Sequence, residues 1–528
     1  MPNDCISYQK SGYFSKLIVD YLDEKPELKA LYNRFPKLEN FKPQIEEKAK
    51  NFTGNRQTLV SALENQYRGF EISETTKTNI SLLSDNKTFT ITTGHQLNLF
   101  TGPLYFLYKI ISVINLCQEL KQAYPDYNFV PIYWMATEDH DFEEINYFHF
   151  KNVKIQWDRE SFGPVGRLST AGLEEVYEVF AQDLGLGDNA NYLKSLFDNS
   201  YLKYSNLADA TRFLANELFG QKGLVILDGD DVALKQLFTS YAKEELLHQT
   251  SFQNVTKTNE LLRDYTIQVN PREINLFYIE DNLRERLVFE DNQFKVNNTN
   301  LVFSESEILT LLESNPEKFS PNVILRPLYQ EVILPNLCYI GGGGEIAYWL
   351  QLKANFEANQ VTFPILLVRN SVVLATEKQL QKADKLNLSW SDLFSNQQDL
   401  FNKKTQEFSQ FNLDFTEQKE HLKKQFATLH QMASQTDKSF GNAVKAQEVK
   451  QLKGLENLEK RLLKAEKKNH AEKLERILQL QNELFPNQSL QERRNNFSEF
   501  YLDFGNDLIQ KLLNELKPLE QTFTISIL

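Results

Sequence analysis

The chain has 528 residues, too many for one ordinary domain, so two or more folding units are expected. Its 71 acidic side chains outnumber its 58 basic ones, and a net charge of −13 argues against a general binder of nucleic acid or of anionic membranes. Hydrophobic residues make up 41%, with 38 Phe and 22 Tyr, ample for a large core, yet the longest apolar runs, such as 363–368, fall well short of a membrane span.

The first 85 residues read as polar helices with apolar patches at Leu17, Ile18 and Val19 and at Leu59 and Val60. From Lys87 onward short apolar runs appear at 89–93, 129–135, 223–227, 323–325 and 363–368. Several are followed by polar residues: Gly94 and His95, Glu138 and Asp139, Asp228 and Asp230, Arg369 and Asn370. Helical patterns separate the runs. That alternation predicts an α/β fold with a largely parallel sheet, covered on both faces, and a ligand crevice beyond the carboxyl ends of the strands. Two inserts interrupt it, a mainly helical one at about 158–220 and a hairpin-rich one within about 250–320.

After Pro364 the next proline is Pro486, and the stretch between is rich in Lys, Glu, Gln and Leu, strong helix formers. Phe415, Leu422, Phe426, Leu429 and Ala433 follow three-and-four spacing, as do Leu452, Leu455, Leu458, Leu462 and Ala465. Leu474, Leu478, Gln481 and Phe485 continue in a shifted phase. A single helix over 442–483 would extend about 63 Å at ~1.5 Å per residue, too long for the interior of a compact domain. An antiparallel helical hairpin turning near 437–441 fits better than a solvated single helix. The expected division is a core over 1–375, a helical coiled coil over 376–486 and a segment, 487–528, that returns to the core and ends in an alternating strand. Cys5, Cys117 and Cys338 share no metal-ligand spacing and cannot all pair; with no apolar signal core after Met1, a reducing cytoplasm is expected.

Three clusters carry chemistry. Gly94, His95, Gln96, Thr101 and Gly102 lie between a strand and an apolar helix that Pro103 is expected to open, with Lys109 two turns inside it. Glycines admit an anion to the backbone, and a helix amino terminus attracts it; the plainer reading is a strand-to-helix turn satisfied by its own polar residues. Glu138, Asp139, His140 and Asp141, with Glu143 and Glu144, follow the next strand. Such carboxylates hold an ammonium or Mg²⁺, or act as base beside a histidine. Zinc is the minority reading, because His140 has no HxH or HExxH partner. A capped helix start, with Thr137 or Asp139 as N-cap, explains the acids but not His140 among them. The third cluster is Arg326 with Gly341, Gly342, Gly343, Gly344 and Glu345, where four glycines between strand and helix suit an anion nest. Asp228, Asp230 and Asp231 form a weaker fourth cluster that turn chemistry explains equally well.

Taken in order, Thr93 to Gln96, Leu99 to Leu104, Glu138 to Phe142, Leu325 to Leu328 and Gly341 to Gln351 resemble the BshC family, cysteine-adding ligases of bacillithiol biosynthesis. His95 stands where glutamine is expected in many relatives, and Gly343 where proline is more usual. The resemblance implies a Rossmann-like core with connecting inserts, and a coiled coil that pairs subunits into a homodimer. It implies the last step of the pathway, the joining of L-cysteine to the amine of glucosaminyl malate, with ATP or a related nucleotide, and Mg²⁺ on it, as activator. On that footing Glu138, Asp139, His140 and Asp141 are the expected catalytic residues, and the glycine-rich clusters with His95, Gln96, Thr101, Lys109, Arg326 and Glu345 bind substrate or nucleotide. The competing classes are a metal-dependent hydrolase of a small amide or sugar and a coiled-coil scaffold on an inactive core. The ligase reading requires all three clusters to meet on one rim of the sheet.

Overall fold

Five short strands, buried on both faces along most of their length, make the centre of the protein, whose computed structural model describes residues 5–528. They are β1 (Thr88–His95), β2 (Asn128–Met135), β3 (Val225–Asp228), β4 (Asn336–Gly341) and β5 (Ile365–Val368). Each pairs in parallel with its neighbour, in the order β5-β4-β1-β2-β3. All residues of β1, β4 and β5 are buried, as expected of a sheet covered on both faces. The order runs outward from β1 in both directions, so the switch point that gathers ligands in such sheets lies between β1 and β4. Helix α1 (Tyr105–Ala123) returns the chain from β1 and buries Val113, Leu116, Cys117 and Leu120 in one cluster with Phe89, Ile91, Ile340 and Leu367. Cys117 and Cys338 are buried thiols in that cluster.

One expected strand is absent. Residues 323–325 form a turn instead, because the Asn322 side chain accepts from Ile324 N at 2.9 Å and Leu325 N at 3.3 Å and its carbonyl takes Arg326 N. Asx-turn chemistry overrides the β-branched pair and launches a helix at Arg326–Ile333. The strand of that unit is β4.

The first insert carries helices Leu173–Leu184, Asp188–Phe197 and Leu207–Phe219, and Phe180 and Phe197 pack against Phe100. The second is an antiparallel sheet whose hairpins include Leu276–Glu280 paired with Leu283–Glu290 and Phe319–Pro321. A three-stranded sheet places Thr522–Ile527 between Cys5–Ser7 and Ser371–Ala375.

Residues 5–374 with 491–526 form one compact unit, and residues 375–490 form the other. In the helical unit Thr416–Ala433 and Lys438–Asn469 form an antiparallel hairpin around Phe426, Ala433 and Val444. Its direction is fixed by two ion pairs, Lys419–Glu459 at 2.6 Å and His430–Glu448 at 2.8 Å, whose partners approach each other in sequence toward the turn. Asp437 caps the second helix by accepting from Ser439 N and Phe440 N, which moves the turn to 434–437 and leaves Gly441 inside the helix. His470 interrupts the continuous helix expected over 442–483, and Ala471–Leu484 resumes beyond it. Among the described residues no helix is long and apolar enough to cross a membrane.

Helix Leu38–Asn51 is pinned to the helix before β4 by a buried ion pair, Lys48 Nζ to Glu331 Oε2 at 2.8 Å, with side chains 1% and 0% exposed. Burial pushes the Glu331 carboxyl up, and Lys48 opposes it. Replacing Lys48 with Met removes that opposition and is expected to cost about 3–5 kcal/mol at pH 8. The folded carboxyl then binds its proton more tightly than the unfolded one, so the deficit shrinks as pH falls. Urea denaturation at pH 8 and pH 5 checks both the size and the sign.

Candidate active site

Gly94 at the end of β1, Asp139 beyond β2 and Gly342 beyond β4 open onto one cavity of about 730 Å³. It lies over the carboxyl ends of these strands, where the order reverses, and the hairpin insert supplies its far wall through Arg272, Phe277, Arg284 and Arg286.

The first cluster divides. Gly94, His95, Gln96 and Lys109 line the cavity; Thr101 and Gly102 do not. Residues Leu99–Thr101 form a tight corner with Phe100, Thr101 and Gly102 at φ of 47°, 69° and 63°, and the helix starts only at Tyr105. The Thr101 hydroxyl is buried without a partner among the described residues, but backbone groups of that corner are already engaged. Asn496 Nδ2 donates to the Phe100 and Gly102 carbonyls at 2.7 and 2.6 Å, Phe100 N donates to the Tyr201 hydroxyl oxygen at 2.9 Å, and Leu104 N donates to Asn495 O. Structural hydrogen bonds therefore take the Phe100 and Leu104 N–H groups that the expected anion loop would have offered. His95 is buried, and burial together with nearby Lys109 holds its imidazole well below the usual value, hence neutral at pH 7. Its Nε2 is buried without a partner among the described residues.

The second cluster stays together at the cavity. Gln96 Nε2 donates to Asp139 Oδ2 and to Glu144 Oε2, both at 2.9 Å, which ties the β1 end to the acidic loop. That loop is also stitched to the first insert, because Gly166 N donates to Thr137 O at 2.8 Å and Val165 N to Asp139 O at 2.7 Å. A Cβ at Gly166 would stand 2.6 Å from Thr137 Cβ, so only glycine allows the approach. Neither Thr137 nor Asp139 caps the following helix: the Thr137 hydroxyl donates to Asp228, and Asp139 Oδ1 accepts from His140 N at 2.8 Å. Glu138 meets Lys235 at 2.5 Å. His140 Nδ1 lies 2.7 Å from Arg284 Nη1 and 3.8 Å from Asp139 Oδ1. A guanidinium only donates, so Nδ1 is the acceptor and the neutral ring carries its proton on Nε2.

In the third cluster Gly342, Gly344, Glu345 and Arg326 line the cavity, whereas Gly341 and Gly343 do not. A Cβ at Gly341 would press on Glu345 and the Tyr339 ring at 2.9 Å, so this glycine serves close packing, whereas one at Gly343 would meet Ile18 and Phe14 at an ordinary 3.5 Å. The Glu345 carboxylate turns back on its own helix, accepting from Gly342 N at 2.8 Å and Tyr339 Oη at 2.7 Å and pairing with Lys109 at 2.6 Å. Burial pushes this carboxyl up, but Lys109 and those donors outweigh it and hold it low. The nest thus already holds an anion of the protein's own. Lys109 also donates to Gly94 O at 2.7 Å.

Sequence patterns passed over most of the cavity's cations. Arg272, Arg284 and Arg286 sit in the hairpin insert, Arg369 follows β5, and Arg493 comes from the carboxyl-terminal segment. The only signal for Arg369 was its place after an apolar run; hairpin arginines look like solvated charges until the sheet folds over. Arg369 is paired with buried Glu492 at 2.7 Å, and Arg326 lies between the Trp134 and Tyr339 rings. Nε of Arg286 and of Arg369 is buried without a partner among the described residues. In all, seven Lys or Arg side chains and four Asp or Glu line the cavity. No group of three or more metal-ligating side chains is present among the described residues.

Residues 1–370 match the family model for the N-terminal Rossmann-like domain of bacillithiol biosynthesis BshC, and residues 372–528 its C-terminal coiled-coil domain. The chain belongs to the BshC family. It is 67% identical over 527 residues to a protein of Flavobacterium psychrophilum and 66% identical over 526 residues to one of Flavobacterium johnsoniae, each match covering 99% of both chains. A Bacillus cereus relative is 28% identical over 519 residues, 94% of this chain and 95% of its own. All three relatives bear the name "Putative cysteine ligase BshC".

Arg284→Met frees His140 Nδ1 and is expected to replace the single Nε2–H tautomer by a mixture. Nitrogen-15 NMR of the histidine rings, with His140 assigned by H140Q, reads the change directly.

Proposed function

We propose that this BshC protein is a cytoplasmic ligase that joins the carboxyl of L-cysteine to the amine of glucosaminyl malate, the last step of bacillithiol formation. The observation that carries this reading is the two-sided chemistry of one cavity, acids beside a histidine at the β2 end and guanidinium groups along the opposite insert. An amine substrate needs the first side. A malate with two carboxylates, and the phosphates of a nucleotide, need the second. A reducing compartment suits a thiol substrate.

A carboxylate resists attack by an amine in water, so the cysteine carboxyl must first be activated; ATP, carrying Mg²⁺ on its phosphates, would supply that activation. The chain's own groups do the rest. Arg272, Arg286 and Arg326 hold anionic groups, and the unsatisfied Nε of Arg286 is a donor awaiting one. Glu138, Asp139 and Asp141 attract the substrate ammonium. His140 takes the proton of the attacking amine at Nδ1, which requires Arg284 to turn away toward a substrate carboxylate. Substrate binding thereby frees the base. Gly94, His95, Gln96 and Gly344 border the reacting groups, and neutral His95 polarises without competing for the proton.

His140→Gln and Asp139→Asn are each expected to abolish bacillithiol formation with unchanged thermal melting. Thiol profiling of a strain lacking the gene, complemented with each variant, should show glucosaminyl malate accumulating; a double variant that restores normal thiols ends the assignment.

The helical hairpin leaves Leu429, Met432, Phe440, Val449 and Leu458 exposed, between 39% and 58%. We assign these exposed apolar residues to contacts with a second copy of the chain, forming a homodimer. Met432→Glu with Val449→Glu should shift the mass measured by light scattering from dimer to monomer.

A further inference from the structure

A buried lysine behind the acidic loop has no place in the reaction as set out above. Lys235 lies in the first turn of helix α2 (Val232–His248), where the helix dipole disfavours a cation, and the residue is 4% exposed. Both circumstances cost stability, and two carboxylates offset them. Its Nζ lies 2.5 Å from Glu138 Oε1 and 3.1 Å from Asp230 Oδ1, and donates to the Glu317 carbonyl at 3.1 Å. Asp230 is in turn held by the Arg167 fork at 2.8 and 3.0 Å, and Arg167 reaches Asp281 at 3.0 Å. The chain Arg167–Asp230–Lys235–Glu138 thus runs from the outer face of the first insert to the cavity wall. Glu138 alone of the four lines that cavity.

We propose that Lys235 is a positioning residue that fixes the Glu138 carboxylate, and keeps it ionised, for the ammonium of the substrate, with Asp230 as its counterweight. This inference rests on the amide-forming reading of the cavity. The charged groups around Glu138 agree with it. Burial pushes the Glu138 carboxyl up, Lys235 pulls it down, Asp230 pushes it up again, and Arg284 across the cavity pulls it down. The Tyr329 hydroxyl, raised far above its usual value by burial, stays protonated and adds no charge. Lys235 itself is raised by Glu138 and Asp230 against its burial, and so remains a cation. The carboxyl therefore stands above the ordinary carboxylate range, raised by burial, with Lys235 and Asp230 acting on it in opposite directions.

The opposition gives two variants of opposite sign. Lys235→Met removes the pull, so the Glu138 midpoint should rise; Asp230→Asn removes the push, so it should fall. The titration is read without substrate, as the infrared carboxyl difference between the full-length protein and E138Q. Calorimetry with glucosaminyl malate from pH 6 to 9 supplies the second reading. Affinity of K235M at pH 6 should fall about tenfold and recover toward the unaltered value at pH 9, K235R should restore it, and D230N should extend tight binding to lower pH. Midpoints that do not move, or that move the same way in both variants, overturn the proposal, as does a moved midpoint with unchanged affinity at every pH. Should K235M fail to fold, the direction of the D230N shift decides alone. Absence of glucosaminyl malate binding to the unaltered protein instead overturns the functional reading on which the inference stands.

Discussion

Lys109 holds the cavity floor together. Its ammonium meets the Glu345 carboxylate at 2.6 Å and the Gly94 carbonyl at 2.7 Å, joining the ends of β1 and β4 where the strand order reverses. A parallel sheet leaves its strand ends with unsatisfied backbone groups at such a switch point, and this lysine satisfies part of both edges at once. Glu345 completes the link by bonding back to Gly342 N and Tyr339. Burial pulls Lys109 toward neutrality and Glu345 opposes that pull, so each charge persists because of the other. Removing either would leave a lone charge under the cavity.

The charge of the whole chain and that of its cavity have opposite signs. A surface carrying −13 overall surrounds a pocket lined by seven cations and four anions. Repulsion from the general surface does not select an anionic ligand; a concave, poorly solvated patch of guanidinium groups does. Those groups are kept apart from the acids by geometry: the insert carries Arg272, Arg284 and Arg286, whereas Glu138, Asp139 and Asp141 sit on the sheet's own rim. Were the two sets to collapse onto each other, both would be neutralised. Beside the acids, Arg284 reaches His140 at 2.7 Å, and there the histidine's proton location is settled.

How much of this was readable in the chain follows from the range of the interactions. Parallel strands announce themselves locally, because burial on both faces demands short runs of apolar and β-branched residues; the runs at 89–93 and 129–135 sit within β1 and β2, and the run at 363–368 contains β5. The three clusters converge because each follows a strand of the same sheet. Local signals failed where side chains distant in sequence intervene. Thr101 and Gly102 look like an anion loop until Asn496 bonds to the carbonyls of that corner. The glycines of 341–344 look like an open nest until Glu345 folds back and fills it. Residues 323–325 look like a strand until the Asn322 side chain is seen capping a helix. The cavity arginines were illegible for the same reason, since an insert shows its inner face only once folded.

The last residues of the larger unit bear on the site more than their position in the chain suggests. Gln491 and Glu492 bind the backbone of 372–374, Glu492 holds Arg369, Arg493 lines the cavity, and Asn495 and Asn496 brace the corner that leads into α1. In sequence, residues 375–490 separate the two sides of this clamp. The chain therefore leaves the Rossmann-like core at 374, builds the entire helical unit and comes back at 491 within hydrogen-bonding reach of the point where it left. Arg369 and Arg493 belong to opposite ends of that excursion, so two cations of the cavity wall reach their places only after the carboxyl-terminal segment has docked. Covalent connectivity thus places the whole of 375–490 ahead of Arg493 in the chain, although both arginines belong to one wall.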